Sequence, residues 1–407
     1  MQIVVVDSTI TTPPTGGAHT FVVELTCALA RRGERVSLVT EPGPERSLVR
    51  GMREGGVEIR EDVWRAVDLP EERAARLAAW VNGRGADAYV VSVSPDAGWL
   101  ALPLLGARTA TVSVAHSDGP AFYEPLRHYQ SFVDCAVGVS RETVRKIVSY
   151  CGVPWERARQ IPYGVSSITR EELEARAAAT ARSRAPLRAG YVGRLVNSQK
   201  RVLDLVPLAA EMSRRGLDFE LHLVGDGPER APLEEGFRAA GVGGRVKFWG
   251  WMSSAEVKGR LRELDVLLLV SDVEGLPVAM LEAMGHGVVP VVTRLDSGNA
   301  ELVREGVNGF LAGVGDFAAF AEHLLALGAD RRRLAAMSRA AWETGQDYTV
   351  GRMVERYLEV FAESAGAAPG RRGDGGFPVM RSCVSRYPFW LRRIKRRVLV
   401  AAGRGGY

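Results

Sequence analysis

Asp265-Val266-Leu267-Leu268-Leu269-Val270-Ser271-Asp272-Val273-Glu274-Gly275-Leu276-Pro277-Val278-Ala279-Met280-Leu281-Glu282-Ala283-Met284 holds the pattern that decides the fold. Residues 265–271 form a near-continuous apolar run, as expected of a strand buried on both faces. A turn carrying Glu274 follows. Pro277 fits the first turn of a helix, where a missing N–H costs nothing. That helix is apolar except for Glu282, and Gly285 or Gly287 ends it. Strand, turn and helix in this order make half of a parallel βαβ unit.

The same unit recurs in both directions. Downstream, a strand is expected at 288–293. Upstream, β-rich runs lie at 187–193, 218–225 and 245–250, each followed by a helical stretch. An earlier series occupies 2–7, 35–40, 87–94, 108–116 and 134–140, with amphipathic stretches at 18–32 and 141–151. Residues 170–185 are rich in Ala, Arg and Glu and read as a helix or linker between the series. A chain of 407 residues, 46% apolar, is long enough for two cores. The expected organisation is α/β: two doubly wound, Rossmann-like domains at 1–185 and 186–345, facing across a cleft. A closing helix at 346–365 carries Met353, Tyr357, Val360 and Phe361 at helical spacing, and a basic tail occupies 366–407. Sheets of this kind bind ligands beyond the carboxyl ends of their strands, so chemistry belongs in the turns that follow strands.

Composition narrows the function. The net charge is +5, but ten Lys and Arg against the single acid Asp374 put +9 in the chain from Arg371 onward, leaving −4 on the body. The body therefore gives no reason to invoke nucleic acid. Cys27, Cys135, Cys151 and Cys383 form no C-x-x-C pair, so neither a zinc ribbon nor a redox motif is expected. The N-terminus lacks a basic leader, and no stretch approaches the ~20 apolar residues of a membrane span. A cytoplasmic protein is expected.

Three turns carry candidate chemistry. Gly16 and Gly17 follow the first strand and open a helix, where small residues and free N–H groups admit a phosphate. The spacing is not G-x-G-x-x-G, which disfavours a nicotinamide cofactor. Gly193, Arg194 and Lys200 follow the strand at 187–192. Two cations on one loop offset the roughly two charges of a diphosphate without a metal, and the chain contains no D-x-D clamp for a divalent ion. Glu274 and Glu282 form the third set. An unpaired acid among apolar neighbours is costly to bury, and a pair of ribose hydroxyls is a natural partner for Glu282. Eight helical positions span about 12 Å, more than the ~5–9.5 Å of a glycosidase carboxyl pair. The alternatives are a capping Glu274, a salt-bridged Glu282 and solvated surface cations. His116 ends the run at 108–116 and faces the expected cleft, as a hydrogen-bonding group or a structural histidine.

Read together, these segments resemble the retaining glycosyltransferases of family 4, the glycosyl transferases group 1, with the GT-B fold. The resemblance runs from Met1 to about Ala365 and adds Val137-Gly138-Val139-Ser140, Ile161-Pro162-Tyr163-Gly164-Val165, and Leu223-Val224-Gly225-Asp226-Gly227-Pro228 in the family's order. It implies that Gly16, Gly17, Gly193, Gly225, Gly275, Leu276 and Glu282 bind a nucleotide-sugar donor. It implies that His116 and Glu274 touch the sugar, and that Arg194 and Lys200 neutralise the diphosphate, with no metal or other cofactor. Glu301 lies in a segment also typical of the family. Tyr163 stands where the family often has Asn, Arg201 where Gly is common, and Ser297-Gly298-Asn299 where a glycine-rich run is usual. The implied activity is transfer of a sugar from a UDP- or GDP-linked donor to a saccharide acceptor with retention. A nucleotide-sugar epimerase of similar fold and an inactive binding scaffold are the alternatives. The tail mixes Phe377, Tyr387, Phe389 and Trp390 with Arg392, Arg393, Lys395, Arg396 and Arg397, a composition suited to an anionic membrane surface and hence to a lipid-linked acceptor on its inner face; a disordered basic tail is the other reading.

Overall fold

A computed structural model of the chain describes residues 1–7, 16–41, 47–93, 96–117 and 119–372. These form two compact units. Unit 1 comprises Met1–Val139, Thr143–Ile161 and the chain from Met353 on; unit 2 comprises Ser140–Glu142 and Pro162–Arg352.

Unit 1 is built on seven parallel strands: β1 (Gln2–Val6), β2 (Arg35–Val39), β3 (Glu58–Arg60), β4 (Ala88–Val91), β5 (Ala110–Ala115), β6 (Cys135–Gly138) and β7 (Ala158–Gln160). Their order is β3-β2-β1-β4-β5-β6-β7. Unit 2 holds six parallel strands: β8 (Leu187–Val192), β9 (Phe219–Val224), β10 (Val246–Gly250), β11 (Val266–Leu269), β12 (Val289–Thr293) and β13 (Phe310–Ala312). Their order is β10-β9-β8-β11-β12-β13. The central strands are buried on both faces: Ile3, Val4, Val5 and Val6 in one sheet, and Val266, Leu267 and Leu268 in the other, are fully inaccessible. Strand order reverses between β1 and β4 and again between β8 and β11. Each reversal opens a crevice at the strands' carboxyl ends.

Three short strands, β3, β7 and β13, were not expected from sequence. Each has three residues and lies at or beside a sheet edge, where pairing is one-sided or brief.

The boundary expected at 185 lies instead between Ile161 and Pro162. The helix Arg170–Arg182 is part of unit 2 and is no linker. Thr169 and Glu172 close a capping box at its start, with the Glu172 N–H donating to Thr169 Oγ1 at 3.2 Å and the Thr169 N–H to Glu172 Oε2 at 2.8 Å. Arg339 pairs with Glu174 at 2.7 Å, and Trp342 Nε1 donates to the Ile168 carbonyl at 2.9 Å. These bonds tie the helix to Arg331–Gly345.

The expected closing helix runs Val350–Glu363 and buries Met353, Val354, Tyr357, Val360 and Phe361. From Met353 it belongs to unit 1, where the Tyr357 ring lies 5.7 Å from that of Phe21. The start of the expected tail packs on unit 1. Ala368 is fully buried, and its N–H donates to Asp134 Oδ1 at 2.8 Å. The basic aromatic stretch at 377–400 lies outside the described residues. No helix among the described residues is long and apolar enough to cross a membrane.

Candidate functional site

In unit 1 the crevice between β1 and β4 receives Gly16, Gly17 and His116. Gly17 is the first residue of the helix Gly17–Arg31 and Gly16 its N-cap. Among the described residues no side chain caps this helix, and its first turn carries no acid. Its dipole and leading N–H groups therefore favour an anion. Nothing among the described residues stands within 4 Å of a Cβ built on Gly16.

His116 follows β5 and is 4% exposed. Its Nε2 lies 2.8 Å from Ser92 Oγ, at the end of β4, and its ring packs 5.0 Å from Phe21 and 5.6 Å from Phe122. Burial, then the neighbouring His19, pushes its pKa down to about 3. The ring is neutral at physiological pH, a hydrogen-bonding group rather than an acid.

Unit 2 gathers the other candidates at the β8/β11 reversal. The ends of β8 and β9 nearly touch. A Cβ on Gly225, whose φ is +130°, would stand 1.9 Å from the Gly193 carbonyl oxygen. The Gly193 N–H donates to the Val224 carbonyl at 3.0 Å, and the Gly225 N–H to the Gly250 carbonyl at 2.8 Å. Glycine at 225 thus has a packing reason of its own, whatever binds there. Beyond Gly193, the Tyr191 hydroxyl donates to the Arg194 carbonyl at 2.8 Å. The Arg194 side chain is exposed, and no carboxylate pairs with it among the described residues.

Lys200 is flanked by Gln199 at φ 69° and Arg201 at φ 47°. Two side-chain-bearing residues in the left-handed region mark a loop held under strain. Arg201 stands where a glycine would sit without that strain, and its guanidinium donates to Asp204 at 2.8 Å. The loop is also pinned across to β11, since the Asp272 N–H donates to the Gln199 carbonyl at 3.0 Å.

Glu274, 8% exposed, meets Lys200 here. Its Oε1 accepts from Lys200 Nζ at 2.7 Å and from Ser271 Oγ at 2.7 Å. The lysine expected to face a diphosphate is therefore paired with the carboxylate expected to face the sugar. Gly275 and Leu276 pack under the next turn: the Gly298 N–H donates to the Gly275 carbonyl at 2.7 Å, and a Cβ on Gly298 would lie 2.5 Å from Leu276. Pro277 is the N-cap of the helix Val278–Gly285, one position before the expected first turn, and Gly287 at φ 69° terminates it. Glu282 on that helix is half-buried.

Ser271 was not singled out by sequence, although Ser-x-x-Glu is the spacing at which a hydroxyl reaches a carboxylate or backbone three residues on. Tyr191 was hidden in an apolar strand, where its phenol gave no separate signal.

Residues 186–330 match the family described as "Glycosyl transferases group 1", and residues 15–167 that described as "Glycosyltransferase Family 4". The chain belongs to the group 1 glycosyltransferases. LpsE of Rhizobium meliloti, a lipopolysaccharide core biosynthesis glycosyltransferase, is 28% identical over 358 residues, covering 85% of this chain and 96% of that protein. The lipopolysaccharide 1,6-galactosyltransferase of Salmonella typhimurium is 34% identical over 137 residues, a stretch that spans 33% of this chain and only 37% of that relative. HepE of Anabaena in complex with UDP superposes with a TM-score of 0.69 at 18% identity, covering 89% of this chain and 100% of that one. The two parallel sheets of the glycosyltransferase and these neighbours establish the GT-B fold.

Proposed function

We propose that this glycosyltransferase moves a sugar from a UDP- or GDP-linked donor to a saccharide acceptor, without a metal and with retention at the anomeric carbon. The observation that carries the reading is the meeting of Lys200 and Glu274 beside an exposed Arg194 at the β8/β11 reversal. Two cations on one turn suit a diphosphate leaving group, and a carboxylate beside the lysine suits the hydroxyls of the sugar attached to it. HepE has been crystallised with UDP-glucose, and relatives include a GDP-mannose-dependent mannosyltransferase of Corynebacterium glutamicum, which supports both donor bases as first candidates. LpsE supports an acceptor of the surface-polysaccharide class.

In this reading the bond from the anomeric carbon to the diphosphate oxygen breaks as the acceptor oxygen bonds that carbon on the same face. The acceptor proton passes to the departing phosphate oxygen. In unit 2, charge growing on the diphosphate is met by Arg194 and Lys200. Glu282, on the same unit, holds the ribose; in unit 1, taken by itself, His116 offers a neutral hydrogen bond suited to a sugar hydroxyl.

Lys200→Ala is expected to lower turnover about a hundredfold or more while leaving the circular-dichroism spectrum unchanged. Wild-type turnover is expected to persist in EDTA, with nucleoside diphosphate released only when acceptor is present. Near-normal activity of Lys200→Ala, or strict dependence on added magnesium or manganese, would remove the reading.

A further inference from the structure

We infer that Ser271 is a positioning residue that keeps Glu274 in place when Lys200 leaves it for the donor diphosphate. The inference rests on the functional reading above and deepens it.

Glu274 Oε1 takes two donors at equal distance, Lys200 Nζ and Ser271 Oγ, each at 2.7 Å. They differ in what else they can do. Lys200 is a cation on a long, partly exposed side chain, 23% accessible. It can turn toward a diphosphate, whose charge exceeds that of one carboxylate. As it turns, Glu274, only 8% exposed with the lysine in place, loses that cationic partner. A buried carboxylate without a donor is costly and free to rotate. Ser271 cannot follow the ligand. It is fully inaccessible, and its backbone is fixed by a second layer of buried bonds. Thr293 Oγ1 donates to the Ser271 carbonyl at 2.6 Å, and Asn299 Nδ2 donates to the Thr293 carbonyl at 2.8 Å. Thr293 and Asn299 are themselves fully buried. The hydroxyl is therefore anchored through β11, β12 and the helix Gly298–Leu302, while the lysine ammonium sits at the end of a long, partly exposed side chain. A short hydrogen bond to a charged acceptor is of the stronger kind, so one is enough to hold the rotamer.

The test compares binding with turnover. Nucleoside diphosphate affinity, UDP and GDP each, is measured by calorimetry for wild type, Ser271→Ala and Lys200→Ala, alongside kcat and KM with the matching nucleotide sugar. Ser271→Ala is expected to bind the diphosphate within about twofold of wild type and to melt at a similar temperature. Its kcat is expected to fall about ten- to a hundredfold, the loss of one charge-assisted bond in a buried site. Should that variant unfold before assay, Ser271→Cys replaces it. Its thiol occupies similar space but donates weakly, and the same split is expected. Unchanged kcat in either variant would overturn the inference, as would a parallel loss of diphosphate affinity, which marks general loosening. If Lys200→Ala binds diphosphate as well as wild type, the functional reading fails instead, and the two failures are told apart.

Discussion

His116 keeps a neutral ring because folding takes it out of water, and that has a measurable price in acid. Its pKa falls from the ordinary 6.5 to about 3 on folding, first through burial and then through the charge of nearby His19. The unfolded chain thus binds a proton that the native state refuses. The associated stability is complete above pH 6.5 and is lost as pH falls from there toward 3, with a slope of about 1.4 kcal/mol per pH unit. In urea titrations at pH 7, 6 and 5, unit 1 of the wild-type protein is expected to lose midpoint steadily. His116→Gln, which keeps a polar partner for Ser92, should lower stability at pH 7 yet flatten that slope by about one proton. An unchanged slope would show that His116 is protonated in the native state. His222 and His286 are also shifted down, chiefly by burial, so unit 2 carries an acid sensitivity of its own.

At the scale of elements, the close approach of the chain just beyond β8 and β9 makes a sharper demand than phosphate binding does. Gly225→Ala would place a methyl carbon 1.9 Å from the Gly193 carbonyl, with backbone on the other side and no flexible side chain to yield. A loss of about 3 kcal/mol or more is expected in chemical denaturation, and a change under 1 kcal/mol would mean that the two strand ends do not meet. The sequence showed where this element lies but gave the glycine a ligand as its reason, because a glycine reads the same whether a phosphate or a carbonyl approaches it. Central strands such as β1, β8 and β11 were legible because burial on both faces leaves an apolar run. β3, β7 and β13 were not, since three residues, as in Glu58–Arg60, are too few to carry a period. Candidates on the turns, Lys200 and Glu274, were found from charge in an unusual place. Their mutual bond was not, because 74 residues separate them and nothing in either segment refers to the other.

At the scale of the whole molecule, unit 1 is assembled from distant stretches of chain, and its last stretch arrives only after unit 2 is complete. Removing everything beyond Arg352 would strip Phe21 of Tyr357 and would leave the sites of Tyr357 and Phe361, both at most 2% exposed, empty. Large buried aromatics are each worth about 3–5 kcal/mol. The cut also takes the Ala368 N–H from Asp134, whose side chain is 1% exposed, at a further cost of about 1–3 kcal/mol. Together these reach the whole stability of an ordinary domain, about 5–15 kcal/mol. A chain ending at Arg352 is therefore expected to lose hydrogen-exchange protection throughout residues 1–139 and 143–161. Residues 162–352, which keep their own sheet and helices, should stay protected, whereas a chain ending at Arg372 should keep both units protected. Protection of β1 and β4 in the shorter chain would show that unit 1 folds without its returning helix, and that the helix is an addition to the domain instead of part of its core.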